Sequence, residues 1–344
     1  MGPTRLRSVA ARSSDPHPDP FAERELQARV TRQLLGARFH FESTSPALLH
    51  LVHWAFGDLP EHKLSRTPAQ LTMRLVLNES ATAPRRRSGP PELTLMGGAG
   101  LLGAVAGPSS FVALSPDQGG ALVTVASQML DYPYHARYEL IEFAVYTLAT
   151  RALKLIPLHA ACVSLNNRGL LLMGESGAGK STLSLQCLLQ KLEFVSEDAV
   201  FVSAQDLKAT GVANFLHVCP DTLHWLPKET ALRLRASPRI QRRSGVRKLE
   251  IDLRSGEYRL AARPPQLAAA VFLSPRAGGR TLLRRLSGKE LSARLLAAQP
   301  YAASQPQWRQ FAANLGAVGG YELRRGRHPQ EGAERLRELL QGGK

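Results

Sequence analysis

The sequence predicts an α/β protein: a phosphate-binding P-loop portion preceded by a smaller α+β portion. Three observations carry this. Gly174-Glu175-Ser176-Gly177-Ala178-Gly179-Lys180-Ser181 fits G-x-x-x-x-G-K-[ST]. An apolar run before it, Gly169–Met173, reads as a buried strand, and residues 181–192 after it carry Leu183, Cys187, Leu188 and Leu192 at helical spacing. Between residues 71 and 125 the chain alternates short apolar runs with turns, the pattern of a sheet.

The chain has 344 residues, 44% of them hydrophobic, enough for one large or two modest cores. Its net charge of +16 favours anionic partners such as nucleotides or acidic peptides. Low aromatic content (6%) and the lack of a nucleic-acid-binding motif argue against a dedicated nucleic-acid binder. Cys162, Cys187 and Cys219 stand far apart without metal spacing, which suits a reducing cytoplasm. There is no apolar run of membrane-spanning length and no apolar segment behind Arg5, Arg7 and Arg12, so neither a membrane span nor a signal peptide is expected.

In chain order, residues 1–22 are rich in Arg, Ser, Asp and Pro and read as a disordered tail, with a helix over Phe21–Leu35. Residues 23–135 form the expected N-terminal α+β domain with an antiparallel sheet. Its strands are Leu71–Leu77, Glu92–Leu95, Phe111–Leu114 and Ala121–Val125, and Pro84–Pro91 is a solvated loop. Gly98-Ala99-Gly100-Leu101-Leu102-Gly103 fits the dinucleotide fingerprint. Gly107-Pro108 breaks the chain where that motif needs a helix, so the stretch reads as a flexible loop.

Residues 136–344 form the expected P-loop domain. A helix over 136–155 carries the stripe Tyr138, Ile141, Ala144, Val145, Leu148 and Ala152. A strand over 158–164, a turn at Asn166–Gly169 and the P-loop strand then make a hairpin feeding the site. Residues 193–202 read as an apolar strand interrupted by Glu197 and Asp198. A buried carboxylate needs a partner, and a Mg²⁺–nucleotide complex is one. Residues 228–248 carry seven Lys and Arg from Arg233 to Lys248, a basic flap or a solvated loop, with Arg247 and Lys248 best placed beside the strand 249–253. A buried strand over 267–273, a helix over 288–298, a last strand at Tyr321–Leu323 and a closing helix over 330–340 complete the chain. His217, Cys219, Asp221 and His224 have no familiar zinc spacing, and Pro220 fits a turn, so they are not read as a metal site. His50 and His53 read as core or surface histidines.

The phosphate chemistry explains the loop's residue types. Gly174, Gly177 and Gly179 permit the bends that turn backbone N–H groups onto a phosphate, and the helix N-terminus adds its positive end. Glu175, Ser176, Ala178 and Thr182 complete the cradle. Lys180 is expected at the β- and γ-phosphates and Ser181 on Mg²⁺.

His159, the P-loop with Lys180 twenty-one residues later, and Glu197-Asp198 after Phe194-Val195-Ser196 resemble the HPr serine kinase/phosphorylases. The likeness is greater to the broad group of bacterial HPr-kinase-related proteins. It is specific over 136–202 and weaker to the end. The resemblance implies a P-loop kinase fold shared with phosphoenolpyruvate carboxykinases. It also implies ATP and Mg²⁺ as cofactors, and transfer of phosphate to a Ser hydroxyl of a protein, peptide or small molecule. By resemblance, Glu197 stands where the family has an Asp beside the attacking hydroxyl, Asp198 is the Mg²⁺ partner, and His159 lies beside the phosphates. The family's glycine-rich signature after the acid pair is missing from 206–222, which argues against HPr itself as substrate. Two alternatives stay open: a nucleotide-dependent switch or hydrolase, and a non-catalytic partner of another enzyme. Homo-oligomerisation is left open.

Overall fold

The computed structural model describes residues 28–79, 89–98, 100–279 and 282–342. The expected tail and most of the Pro84–Pro91 loop lie outside them.

The N-terminal portion is a seven-stranded sheet in the order β1-β2-β3-β7-β6-β5-β4. These strands are β1 (Ala28–Leu34), β2 (Ala37–Ser43), β3 (Gln70–Asn78), β4 (Leu93–Gly98), β5 (Leu101–Ala106), β6 (Ser110–Ser115) and β7 (Gly120–Ala126). Two sequence expectations are corrected here. The segment expected to be a helix up to Leu35 is strand β1 over its described part, paired antiparallel with β2. The two strands are joined by Leu35-Gly36, both at positive φ (52 and 90). A two-residue turn of that kind matches strand twist but is normally written with Asn or Asp, so a leucine hides it. The sheet is also mixed, not antiparallel, because β3 runs parallel to both β2 and β7. The helix Pro46–Phe56 makes the β2–β3 crossover. Ser45 caps it, and Leu48, Leu51, Val52, Ala55 and Phe56 are buried. The stretch expected to be a loop at 98–103 holds instead the end of β4 at Gly98 and the start of β5 from Leu101, paired antiparallel, with Ala99 outside the described residues.

The long helix spans 133–152. Its middle, Ala136–Glu142, is wound as a π-helix, whose i→i+5 bonding lines up residues five apart. Its stripe of Ile141, Ala144, Val145 and Leu148 is buried in the same core as Phe39, Phe41 and Leu114 of the N-terminal sheet.

The second seven-stranded sheet has the order β17-β11-β9-β10-β18-β20-β19. It comprises β9 (Ala161–Leu165), β10 (Arg168–Met173), β11 (Glu193–Ser196), β17 (Arg259–Leu260), β18 (Gln266–Ala277), β19 (Leu283–Arg285) and β20 (Gly320–Arg325). The P-loop strand β10 is central, antiparallel to β9 and parallel to β18, so both its faces are covered and Leu170–Met173 are fully buried. Asn166 and Asn167 turn the β9–β10 hairpin at positive φ (51 and 63), where Asn is favoured. Helices Lys180–Leu189, Gly288–Ala298 and Pro329–Gln341 stand as the sequence places them. No helix among the described residues is long and apolar enough to cross a membrane.

Two three-stranded sheets flank this core, β13-β12-β8 and β14-β16-β15. Their strands are β8 (Ile156–Leu158), β12 (Val200–Val202), β13 (Ala209–Thr210), β14 (Phe215–Val218), β15 (Arg239–Gln241) and β16 (Arg247–Asp252). The expected single strand over 193–202 is therefore two strands in two sheets, and Glu197-Asp198 form the bend between them. The Ser196 hydroxyl closes the bend by donating to the Ala199 carbonyl at 2.6 Å. The expected strand over 158–164 divides in the same way, between β8 and β9.

Gly211 faces this bend at close range. A Cβ there would overlap the Ser196 side chain and lie 2.9 Å from the Val195 carbonyl. Gly211→Ala is expected to cost about 1–3 kcal/mol, read as a lowered urea midpoint with unchanged slope.

Candidate functional site

The loop 174–179 follows the buried end of β10 and opens the helix Lys180–Leu189. Gly177 (φ 81) and Gly179 (φ 97) occupy the left-handed region that side chains avoid. A Cβ on Gly174 would lie 3.0 Å from that of Ala178, so the loop closes tightly there. Glu175 and Ser176 are exposed at its crest. Lys180 is buried and folds back, donating from Nζ to the Gly174 carbonyl at 2.6 Å. Burial lowers its pKa. Thr182 Oγ1 meets Thr222 Oγ1 at 2.9 Å.

The acid bend faces this helix start. Ser181 donates its hydroxyl to Glu197 Oε1 at 2.7 Å. Glu197 Oε2 accepts twice from His217, from its backbone N–H at 2.9 Å and from Nδ1 at 2.8 Å. The Lys248 ammonium stands 4.0 Å from Oε1. Asp198 turns the other way, and its Oδ2 accepts from Arg242 Nη2 at 2.5 Å. Burial opposes ionisation of Asp198, but the Arg242 guanidinium outweighs it and holds the carboxyl below its usual range. Ser181 and Asp198, expected together on a metal, thus each meet a different partner.

His159 is exposed, with Nδ1 3.2 Å from the Asp198 carbonyl. Its backbone is gripped on both sides by the buried Gln299 amide, at 2.9 and 3.0 Å. Of the basic stretch, part is the helix Lys228–Arg235 and part the hairpin β15–β16, not one loop. Arg247 is exposed. Arg243 forks onto Glu139 at 2.7 and 2.6 Å and also reaches the Pro91 carbonyl, which fastens the hairpin turn carrying Arg242 to the long helix and to the segment before β4.

Four residues at the site were not singled out as site residues by the sequence: Arg242, His217, Glu250 and Arg137. His217 Nε2 meets Glu250 Oε1 at 3.1 Å, and the same oxygen accepts from Arg137. Arg137 is fully buried between the rings of Trp54 (4.3 Å) and Phe215 (4.2 Å), with its Nε 3.4 Å from Glu142, one π-turn away. The available signal was the one used for Glu197 and Asp198: a charged residue within an apolar run, here Phe215-Leu216-His217-Val218 and Leu249-Glu250-Ile251.

Beside the loop opens a cleft of about 510 Å³, lined by Gly179, Thr182, Trp225, Arg325, Arg327 and His328 among others. Trp225 is 43% exposed, and His328 stands edge-on to it at 5.2 Å. Among the described residues no group of three or more His, Cys, Asp or Glu side chains could hold a metal unaided.

Burial works against a charged His217, but Glu197 and Glu250 overcome it and raise its pKa to about 9. A raised folded-state pKa stabilises the fold fully below the ordinary value near 6.5, and that contribution is lost as the pH climbs through about 9. Urea midpoints measured from pH 6 to 9.5 are expected to fall more for the wild-type protein than for His217→Asn.

No family model matches the chain, and no curated protein matches it. Among solved structures, the chain is similar to the HPr(Ser) kinase/phosphatase from Coxiella burnetii, at 14% identity over 54% of this chain and 94% of that one, with a TM-score of 0.27. At that score the likeness fixes neither fold nor chemistry, which rest on the geometry above.

Proposed function

We propose that the chain binds ATP with Mg²⁺ and transfers the γ-phosphoryl group to a hydroxyl of a protein, peptide or small-molecule acceptor. The observation that carries this is the 2.7 Å bond from the P-loop Ser181 hydroxyl to Glu197, made at the mouth of a loop whose two glycines hold positive φ. It supports a role for the carboxylate beside the terminal phosphate of a nucleotide held by the loop.

The donor set suits Mg²⁺. Ser181, Glu197 and Asp198 offer hard oxygen atoms, and Mg²⁺ takes one or two protein oxygens and completes its shell with phosphate and water. Ser181 and Asp198 would hold the ion, which supplies neutralisation of phosphate charge when bound. The loop N–H groups and the helix N-terminus take the phosphates. Lys180 exchanges its hold on the Gly174 carbonyl for the β- and γ-oxygens. The cleft beside Trp225 receives the nucleoside end.

In the transfer, the bond from the γ-phosphorus to the β–γ bridging oxygen breaks and one to the acceptor oxygen forms. The hydroxyl proton passes to Glu197 Oε1 and ADP leaves. Lys180, Arg242, Lys248 and His159 offset the charge on the moving group.

A second reading, a nucleotide switch or a non-catalytic partner, is favoured by one observation: both oxygens of Glu197 are already engaged, by Ser181 and by His217. Incubation with γ-labelled ATP, Mg²⁺ and a lysate of the source cells separates the readings. Label on an acceptor is expected with the wild type and at least about 100-fold less with Lys180→Ala. Glu197→Gln and Asp198→Asn variants that both transfer at the wild-type rate would refute the assignment. Phosphate release without labelled product would point to the switch, and tight ATP binding without turnover to the partner.

A further inference from the structure

Glu197 carries one more methylene than an aspartate, and it stands on a bend rather than within a strand. Each feature gives its carboxylate freedom that catalysis cannot use, since a reacting group must be held within a fraction of an ångström. The structure answers with His217. Its backbone N–H and Nδ1 converge on one oxygen, Oε2, at 2.9 and 2.8 Å. Two donors from one buried residue fix the position of that oxygen, and the Ser181 hydroxyl on Oε1 then sets the plane of the carboxylate. The other oxygen, Oε1, is left facing Ser181 at 2.7 Å and Lys248 at 4.0 Å.

The ring is itself held. β14 pairs with β16 so that His217 lies opposite Glu250, whose Oε1 meets Nε2 at 3.1 Å. Arg137 bonds that same oxygen. His217 is 6% exposed and Glu250 2%, so neither has solvent as an alternative partner. The bonds of these three side chains lead toward the P-loop through Glu197, which meets Ser181.

We infer that His217 is a positioning residue for Glu197, holding Oε2 so that Oε1 is the working oxygen of the site. The inference rests on the phosphotransfer reading for the meaning of "working", but not for the geometry. Outer partners of this kind typically contribute about 10- to 100-fold in activity.

Two substitutions split the two ring nitrogens. His217→Asn puts an amide nitrogen near the place of Nδ1, keeping the bond to Glu197 and losing Glu250. His217→Gln reaches the place of Nε2, keeping Glu250 and losing the side-chain bond to Glu197. Both are neutral, polar and smaller than the ring, so a purely structural loss would affect them alike. The expected result is a kcat for labelled transfer about 10- to 100-fold down in His217→Gln, with KM for Mg²⁺–ATP within about threefold of wild type, and most of that loss restored in His217→Asn. Crystal structures of the three proteins give an independent answer: Glu197 is expected to stay on Ser181 in wild type and His217→Asn and to swing away in His217→Gln. Equal losses in the two variants, a loss confined to KM, failure of both to fold, or an unmoved Glu197 in His217→Gln would each overturn the inference. A wild type that transfers no label, while Glu197 stays on Ser181 in it and in His217→Asn and swings away in His217→Gln, would sink the phosphotransfer reading alone.

Discussion

The structure depends on one line of alternating charge: Arg137, Glu250, His217 and Glu197, ending on the Ser181 hydroxyl. Its charged members are almost entirely out of water, where an unpaired charge costs several kcal/mol. Each cation therefore has to meet a carboxylate, and the register of β14 against β16 and the π-turn bring these partners together. A low dielectric makes such a line strong when complete and costly when any link is removed. The carboxylate nearest the P-loop is thus held through His217 of β14 and Glu250 of β16.

A second charged pair works on a different principle. Arg242 and Asp198 are partly exposed, on a hairpin turn and a bend, with side chains 27% and 21% accessible. Solvent screening weakens such a pair and leaves it exchangeable. The two neighbouring acids therefore sit in unlike surroundings, Glu197 fixed in a buried line and Asp198 in a contact that can be remade. Divergent environments for adjacent carboxylates are a recurrent mark of sites that use them for different tasks.

Much of this was legible in the sequence, for local reasons. The P-loop, its strand and its helix were readable because glycine spacing and apolar periodicity are written in adjacent residues. The Asn166-Asn167 turn was readable because Asn favours the conformation it adopts. The β1–β2 hairpin was hidden because Leu35 holds a positive φ that burial, at 1% exposure, enforces from outside the turn. The parallel pairing of β3 was hidden because pairing partners lie 32 or more residues apart. The acid pair was noticed because two charges interrupt one apolar run. His217 and Glu250 interrupt their own runs singly, and only the antiparallel register of two distant strands makes them a pair.

Arg137 belongs to a helix whose apolar stripe lies in the N-terminal core, and Trp54, from the helix of that same portion, covers one face of its guanidinium. The P-loop half is consequently not a self-sufficient cassette. Cutting the chain between 135 and 136 would expose one face of Arg137 to water and strip the stripe of the sheet it rests on. Modularity in this molecule ends at the level of the P-loop motif: the loop can be recognised alone, but the counter-ion that completes its acid line is packed by the other half.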